Sequence, residues 1–231
     1  MVELDVQMTR DHQLVVFHDD RLERTTNGTG QLTKIRYAQL AKLDAGSWFH
    51  PRFAGERVLL LSQAVRLVPK RMWINLELKR TSRSGALLVR LLRLIRHQEI
   101  GSRLLLSSFE ARLLRPFGAT HLSTALLCRR QPVQSLERAI RLRCAAWHPF
   151  HALITPQRIA RAHAANLRVH VWTVDDPKRA RQLIRWGADG VFTNDPGRLV
   201  RHLRRLADNQ VVVMIPPAAP AARRRTQQVV G

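Results

Sequence analysis

Short apolar runs of strand length alternate along this chain with stretches in which apolar residues return every third or fourth position. The runs Glu3 to Met8, Leu14 to His18, Met72 to Leu78, Arg103 to Ser107, Leu122 to Leu127, Cys144 to His148, Val169 to Val174 and Gly190 to Thr193 read as strands. Helical patterns fall between the later ones: Gly85 to His97, Ala111 to Phe117, Pro132 to Leu142, Pro156 to Ala165, Pro177 to Trp186 and Pro196 to Leu206. Several helices open with Pro after Thr or Asp, as at Thr155-Pro156, Asp176-Pro177 and Asp195-Pro196, which is N-terminal cap chemistry. Strand and helix in strict alternation predict a parallel sheet with helices outside it. The first two strands are the exception. Only Thr9 to Gln13 separate them, too few residues for a parallel crossover, so they form a hairpin. One strand of that pair plus six later ones makes seven parallel strands, one fewer than a closed β/α barrel of the TIM type requires.

Between Asp19 and Leu67 the periodicity breaks down into a Thr-Asn-Gly segment, short helical pieces and the aromatics Trp48, Phe49 and Phe53. This reads as an insertion after the second strand, on the face where a barrel carries its active site. Residues 1–208 form one domain. Residues 209–231, rich in Pro, Ala and Arg, read as a disordered tail.

Charge modifies this picture more than size does. The 231 residues carry 39 Lys and Arg, nearly all of them Arg, against 17 Asp and Glu, for a formal charge of +22. Such a field attracts phosphate-bearing partners of any kind. The arginines spread over every helix, with no zinc spacing, helix-turn-helix or aromatic-interleaved basic motif, so solvated helix faces are favoured over a specific nucleic-acid surface. Cys128 and Cys144 lack metal-site spacing and read as reduced interior thiols. With no membrane-length apolar window and no leader before Glu3, the expected location is the cytoplasm, unless a missing N-terminus carries a signal.

Candidate chemistry gathers at strand ends. Glu3 and Asp5 are two apart on one strand and share a face, as suits a hard cation; ordinary outward polar positions would look the same. Glu77 tips the balance, because it sits in the apolar run Ile74 to Leu78, and an interior carboxylate needs a cation or metal partner. His18 ends the second strand and is a candidate general acid or base. Lys79 could face the same side as Glu77, either to meet a phosphate or to neutralise the carboxylate.

The segments ELDVQMTRDHQLVVFHDDRLERTTNGTG, INLELK, LLLSSF, VHVWTV and GADGVFTNDP resemble the glycerophosphodiester phosphodiesterase family over nearly the whole chain. The resemblance implies a β/α barrel that hydrolyses glycerophosphodiesters to glycerol 3-phosphate and an alcohol with a divalent metal, Ca2+ or Mg2+. It also implies attack by the glycerol hydroxyl and a cyclic phosphate that water then opens. By motif, Glu3, Asp5 and Glu77 match metal ligands, His18 a catalytic histidine that protonates the departing alcohol, and Lys79 and Trp172 positions in the substrate pocket.

The chain departs from the family pattern in two places. Members begin with a strand bearing His-Arg-Gly and then Pro-Glu-Asn, which supply a second histidine, an arginine and another glutamate; this sequence contains no His-Arg-Gly. The expectation is therefore a barrel lacking its first strand and helix, with impaired turnover and edges exposed around Leu4 and Val191. The alternatives are an inactive degenerate barrel and, less favoured, an Arg-rich nucleic-acid binder. Were the chain as given to turn over at rates typical of enzymes, roughly 1 per second or faster, another residue, with His148 or His170 the first to test, would have to do the work of the second histidine. The second departure is Val58 to Gln63, which stands where the family has Pro-Thr-Leu-Glu and reads as a worn helix start.

Overall fold

A computed structural model describes residues 1–204. Both the expected tail and the last residues of the final helix pattern lie outside the described residues. Eight strands form one sheet: β1 (Val2–Met8), β2 (Leu14–Val16), β3 (Ile74–Leu78), β4 (Leu104–Ser108), β5 (Ser123–Cys128), β6 (Ala146–Pro149), β7 (Arg168–Val171) and β8 (Gly190–Val191). Their spatial order is β2-β1-β3-β4-β5-β6-β7-β8, with only the β1–β2 pair antiparallel. The fold is an open β/α barrel of seven parallel strands with a hairpin arm. β2 pairs with Val6 to Met8 and makes one further antiparallel bridge, Val15 to Leu60, and β8 pairs with β7 alone among the described strands. The outer edge of β1 near Leu4 and that of β8 at Val191 lie outside every ladder described.

The period-two pattern explains which side chains face inward. Ile74, Leu76 and Leu78 of β3 join Leu104 and Leu106 of β4 in an apolar layer beneath helix α3 (Ser84–His97), from which Leu87, Leu91 and Ile95 pack down. A second layer gathers around Trp147, Val169 and Val171, under helices α5 (Pro132–Arg141), α6 (Pro156–Ala164), α7 (Pro177–Arg185) and α8 (Pro196–Arg204). The alternate positions, Asn75, Glu77, Leu105, Ser107, Ala125, Ala146, His148 and His170, face the lumen.

Capping follows the sequence signals. Thr155 accepts a hydrogen bond from Arg158 N, and Asp176 accepts from Lys178 N and Arg179 N. Glu99, Arg143, Asn166 and Gly187, each just beyond a helix, all have positive φ, the left-handed turn that leads the chain into the next strand.

The 19–67 segment is ordered, although it lacks periodicity. Phe17, Leu22, Leu32, Leu40 and Val58 form a small core of their own. Asp44 accepts from the backbone N–H groups of Gly46, Ser47 and Gly55, closing the loop that carries Trp48, Phe49 and Phe53. The worn helix start still produces a helix, α2 (Leu61–Leu67): Leu60 N donates to Gln63 Oε1 at 2.9 Å, so Gln63 reaches back to cap the first turn.

Candidate active site

β1 and β3 run parallel and side by side, in a register that sets Asp5 opposite Glu77 and Glu3 opposite Asn75. This brings one carboxylate oxygen each of Glu3, Asp5 and Glu77 within 4.8 Å of one another. Lys79 leaves the end of β3 and turns back, its Nζ lying 2.8 Å from Asp5 Oδ1 and 2.6 Å from Glu77 Oε1. Both readings of Lys79 therefore begin from one geometry, in which the ammonium neutralises the carboxylates and stands where a phosphate could reach it.

Burial sets the electrostatics. Glu3 lies deepest, and its pKa is pushed up to about 8, first by loss of water and then by repulsion from Asp5 and Glu77. Burial also raises Glu77, against the pull of Lys79. Burial alone would lower Lys79, but Glu77 and Asp5 outweigh it and its hold on the proton is raised. Glu3 Oε1 is buried with no hydrogen-bond partner. Three converging carboxylates, one with an orphaned oxygen, share a single positive charge. This donor set, all oxygen, fits a hard divalent cation.

His18 stands beyond the end of β2 on a loop pinned from below. Gln7, on the same face of β1 as Glu3 and Asp5, donates through Nε2 to the carbonyls of Phe17, His18 and Asp19 at 3.2, 3.0 and 2.8 Å. His18 Nδ1 lies 2.5 Å from Asp19 Oδ1. Arg24 holds the same carboxylate through two bonds, at 2.5 and 2.8 Å, and its guanidinium lies over the Trp48 ring. Those bonds pull the Asp19 carboxyl down to about 2, so it is ionised and fixes the imidazole tautomer with Nε2 free for proton exchange.

These groups open into a cleft of about 470 Å³, whose walls include His18, Asp19, Glu77, Lys79, Phe109 and Arg129. Of the residues expected from sequence, His18, Glu77 and Lys79 line it directly, while Glu3 and Asp5 complete the carboxylate cluster. Trp172 stands one residue back: its ring meets Phe109 edge-on at 5.5 Å, with Arg129 over its face at 5.5 Å, and Nε1 donates to His148 O. Sequence reasoning missed Gln7, Asp19, Arg24, Phe109 and Arg129. Gln7 was the most accessible of these, being two residues after Asp5 on the same strand face.

His148 and His170 do not reach the cleft. Both are buried in the lumen, with His148 Nε2 3.1 Å from His170 Nδ1. Burial lowers both pKa values, so the pair is neutral and unsuited to exchange protons with a substrate. They are corrected as candidates for the second histidine. Cys128 and Cys144 are free and buried, as expected. No helix among the described residues is long and apolar enough to cross a membrane.

Comparison with known proteins places this geometry in a lineage. A "Glycerophosphodiester phosphodiesterase" of Caldanaerobacter subterraneus subsp. tengcongensis is 34% identical over 212 residues, covering 88% of this chain and 86% of that protein. The solved structure of an Oleispira antarctica phosphodiesterase in complex with the product sn-glycerol-3-phosphate matches with a TM-score of 0.82 at 30% identity, covering 88% of this chain and 84% of that one. A putative glycerophosphoryl diester phosphodiesterase from Silicibacter pomeroyi matches with a TM-score of 0.77 at 26% identity, covering 88% and 83%. The model of the glycerophosphoryl diester phosphodiesterase family matches residues 1–198, and the chain belongs to that family of phosphoric diester hydrolases.

Proposed function

We propose that this cleft hydrolyses glycerophosphodiesters to glycerol 3-phosphate and an alcohol, with Ca2+ or Mg2+ held by Glu3, Asp5 and Glu77. The observation that carries this reading is the convergence of three carboxylates beside an ammonium and an exposed, carboxylate-oriented histidine. A phosphodiester carries one negative charge and gains more in the transition state, so positive groups at its oxygens accelerate cleavage. A bound divalent cation would supply most of that charge. Lys79, at the end of β3 beside Asp5 and Glu77, would offer its ammonium to a phosphoryl oxygen. His18 donates a proton from Nε2 to the departing alcohol oxygen, and Asp19, held by Arg24, stabilises the charged imidazole that precedes transfer. The product bound in the Oleispira antarctica structure supports glycerol 3-phosphate as the half retained at this end.

Among the described residues His18 is the sole histidine lining the cleft. With one such group for both proton transfers, residues 1–231 should turn over well below about 1 per second, a low rate for an enzyme. Phosphorus NMR on glycerophosphocholine with Ca2+ or Mg2+ tests the reading. Slow appearance of a glycerol 3-phosphate signal is expected; no product with either metal would favour the inactive-barrel alternative.

A further inference from the structure

The wall formed by Phe109 and Arg129 has a second side. Behind it lies another cavity, of about 250 Å³, whose lining includes Phe109, Arg129, Arg130, Gln134, Ser135 and Arg138. The two cavities share Phe109 and Arg129, so a molecule seated at Glu77 and Lys79 can extend over these side chains without leaving the protein surface.

The charge of this second space differs from that of the first. The catalytic cleft mixes Lys79, Arg80 and Arg129 with Asp19, Asp20, Glu77 and Glu110. The second cavity is lined by three guanidinium groups and no carboxylate. The acidic side chains adjacent in sequence to its lining, Glu110 and Glu137, pair elsewhere, with Arg112 at 3.4 Å and Arg161 at 3.0 Å. Among the described residues no ion pair involves Arg129, Arg130 or Arg138. The first turn of α5, which no side chain caps, borders the same space and adds its partial positive charge.

We propose that this cavity receives the alcohol half of the substrate and selects diesters whose alcohol carries a phosphate of its own. The proposal rests on the reading of the first cleft as a glycerophosphodiester site, and it assigns the alcohol half to the side of Phe109 and Arg129. Guanidinium forks match phosphate oxygens in pairs, and a terminal phosphate on the alcohol would reach Arg130 and Arg138 while Arg129 stays over Trp172. The chemistry of cleavage is unchanged. Water's oxygen ends on the phosphorus of glycerol 3-phosphate, the bond from phosphorus to the alcohol oxygen breaks, the alcohol leaves with its own phosphate and the proton from His18, and a proton from water restores His18.

The test compares glycerophosphoinositol with glycerophosphoinositol 4-phosphate, a pair differing in one phosphate, on the full metal-loaded chain and on the Arg130→Gln/Arg138→Gln variant. The expected result is a kcat/KM at least about tenfold higher for the phosphorylated substrate, expressed in KM, that falls to near parity in the variant. Equal kcat/KM for the two substrates, or a preference that survives in the variant, overturns the proposal. If neither diester is cleaved, the hydrolytic reading has failed, and calorimetry with inorganic phosphate decides the subsite separately. Loss of a phosphate site in the variant then supports the anion subsite, and identical phosphate uptake by both proteins overturns it.

Discussion

His18 is useful only because three other side chains hold it. Gln7 fixes its backbone, Asp19 its ring, and Arg24 fixes Asp19. Replacing His18 by Ala should lower kcat by about 10²- to 10⁴-fold, the usual worth of a positioned acid or base. Asp19→Asn should lower kcat less and leave KM nearly constant, because it disturbs the imidazole and not the phosphate contacts. A steady-state comparison of the two variants checks both outcomes. The lumen pair makes a different prediction. His170 titrates at about 4 in the fold, driven first by burial, against an unfolded value of 6.5. The unfolded chain therefore binds the proton first, so the stability this group confers is complete above pH 6.5 and is lost as pH falls toward 4. The loss is about 3 kcal/mol for His170 alone, and His148 adds to it in the same direction. Melting curves between pH 7 and 4.5 should show this slope, and His170→Gln should reduce it, leaving the share that belongs to His148. The carboxylate cluster was legible in the sequence because Glu3, Asp5 and Glu77 obey strand alternation. Arg24, Phe109 and Arg129 were not, because they come from segments without a period, and only the folded loop between β2 and α2 brings Arg24 over Trp48.

At the scale of elements, all eight strands and the six later helices fall where the alternation of apolar residues places them. The differences lie at strand ends: β2 and β8 are shorter than their apolar runs, because Phe17 leaves the ladder for the small core of the 19–67 segment, His18 for the cleft wall, and Phe192 packs against His148 and His170. The 19–67 segment was read only as an insertion, since its order comes from turn bonds such as those of Asp44, which leave no periodic trace. Helix exits offer a quantitative check. Arg143 holds φ at 54° and Gly187 at 95°, a region that costs a residue with a Cβ about 1 kcal/mol or more. Arg143→Gly should stabilise the protein by about 1 kcal/mol and Gly187→Ala should destabilise it by a similar amount, both measured by chemical denaturation.

Across the whole molecule the dominant fact is positive charge, +22 over 231 residues. Arginines on the outer helix faces keep the surface solvated, whereas those around Phe109 crowd two neighbouring cavities. The general field should produce weak DNA retention at low salt that is independent of base sequence and lost by about 0.2 M salt; a salt-titrated binding assay checks this, and sequence-selective retention would revive the nucleic-acid alternative. The central claim concerns the carboxylate cluster. Its most direct test is the rate of glycerol 3-phosphate release measured against Ca2+ or Mg2+ concentration, for the wild-type chain and for Glu77→Gln. Release by the wild type should show a saturable metal dependence, abolished by chelator, and strongly weakened or absent in Glu77→Gln. Release that ignores chelator, or a Glu77→Gln titration that overlays the wild type, would contradict it.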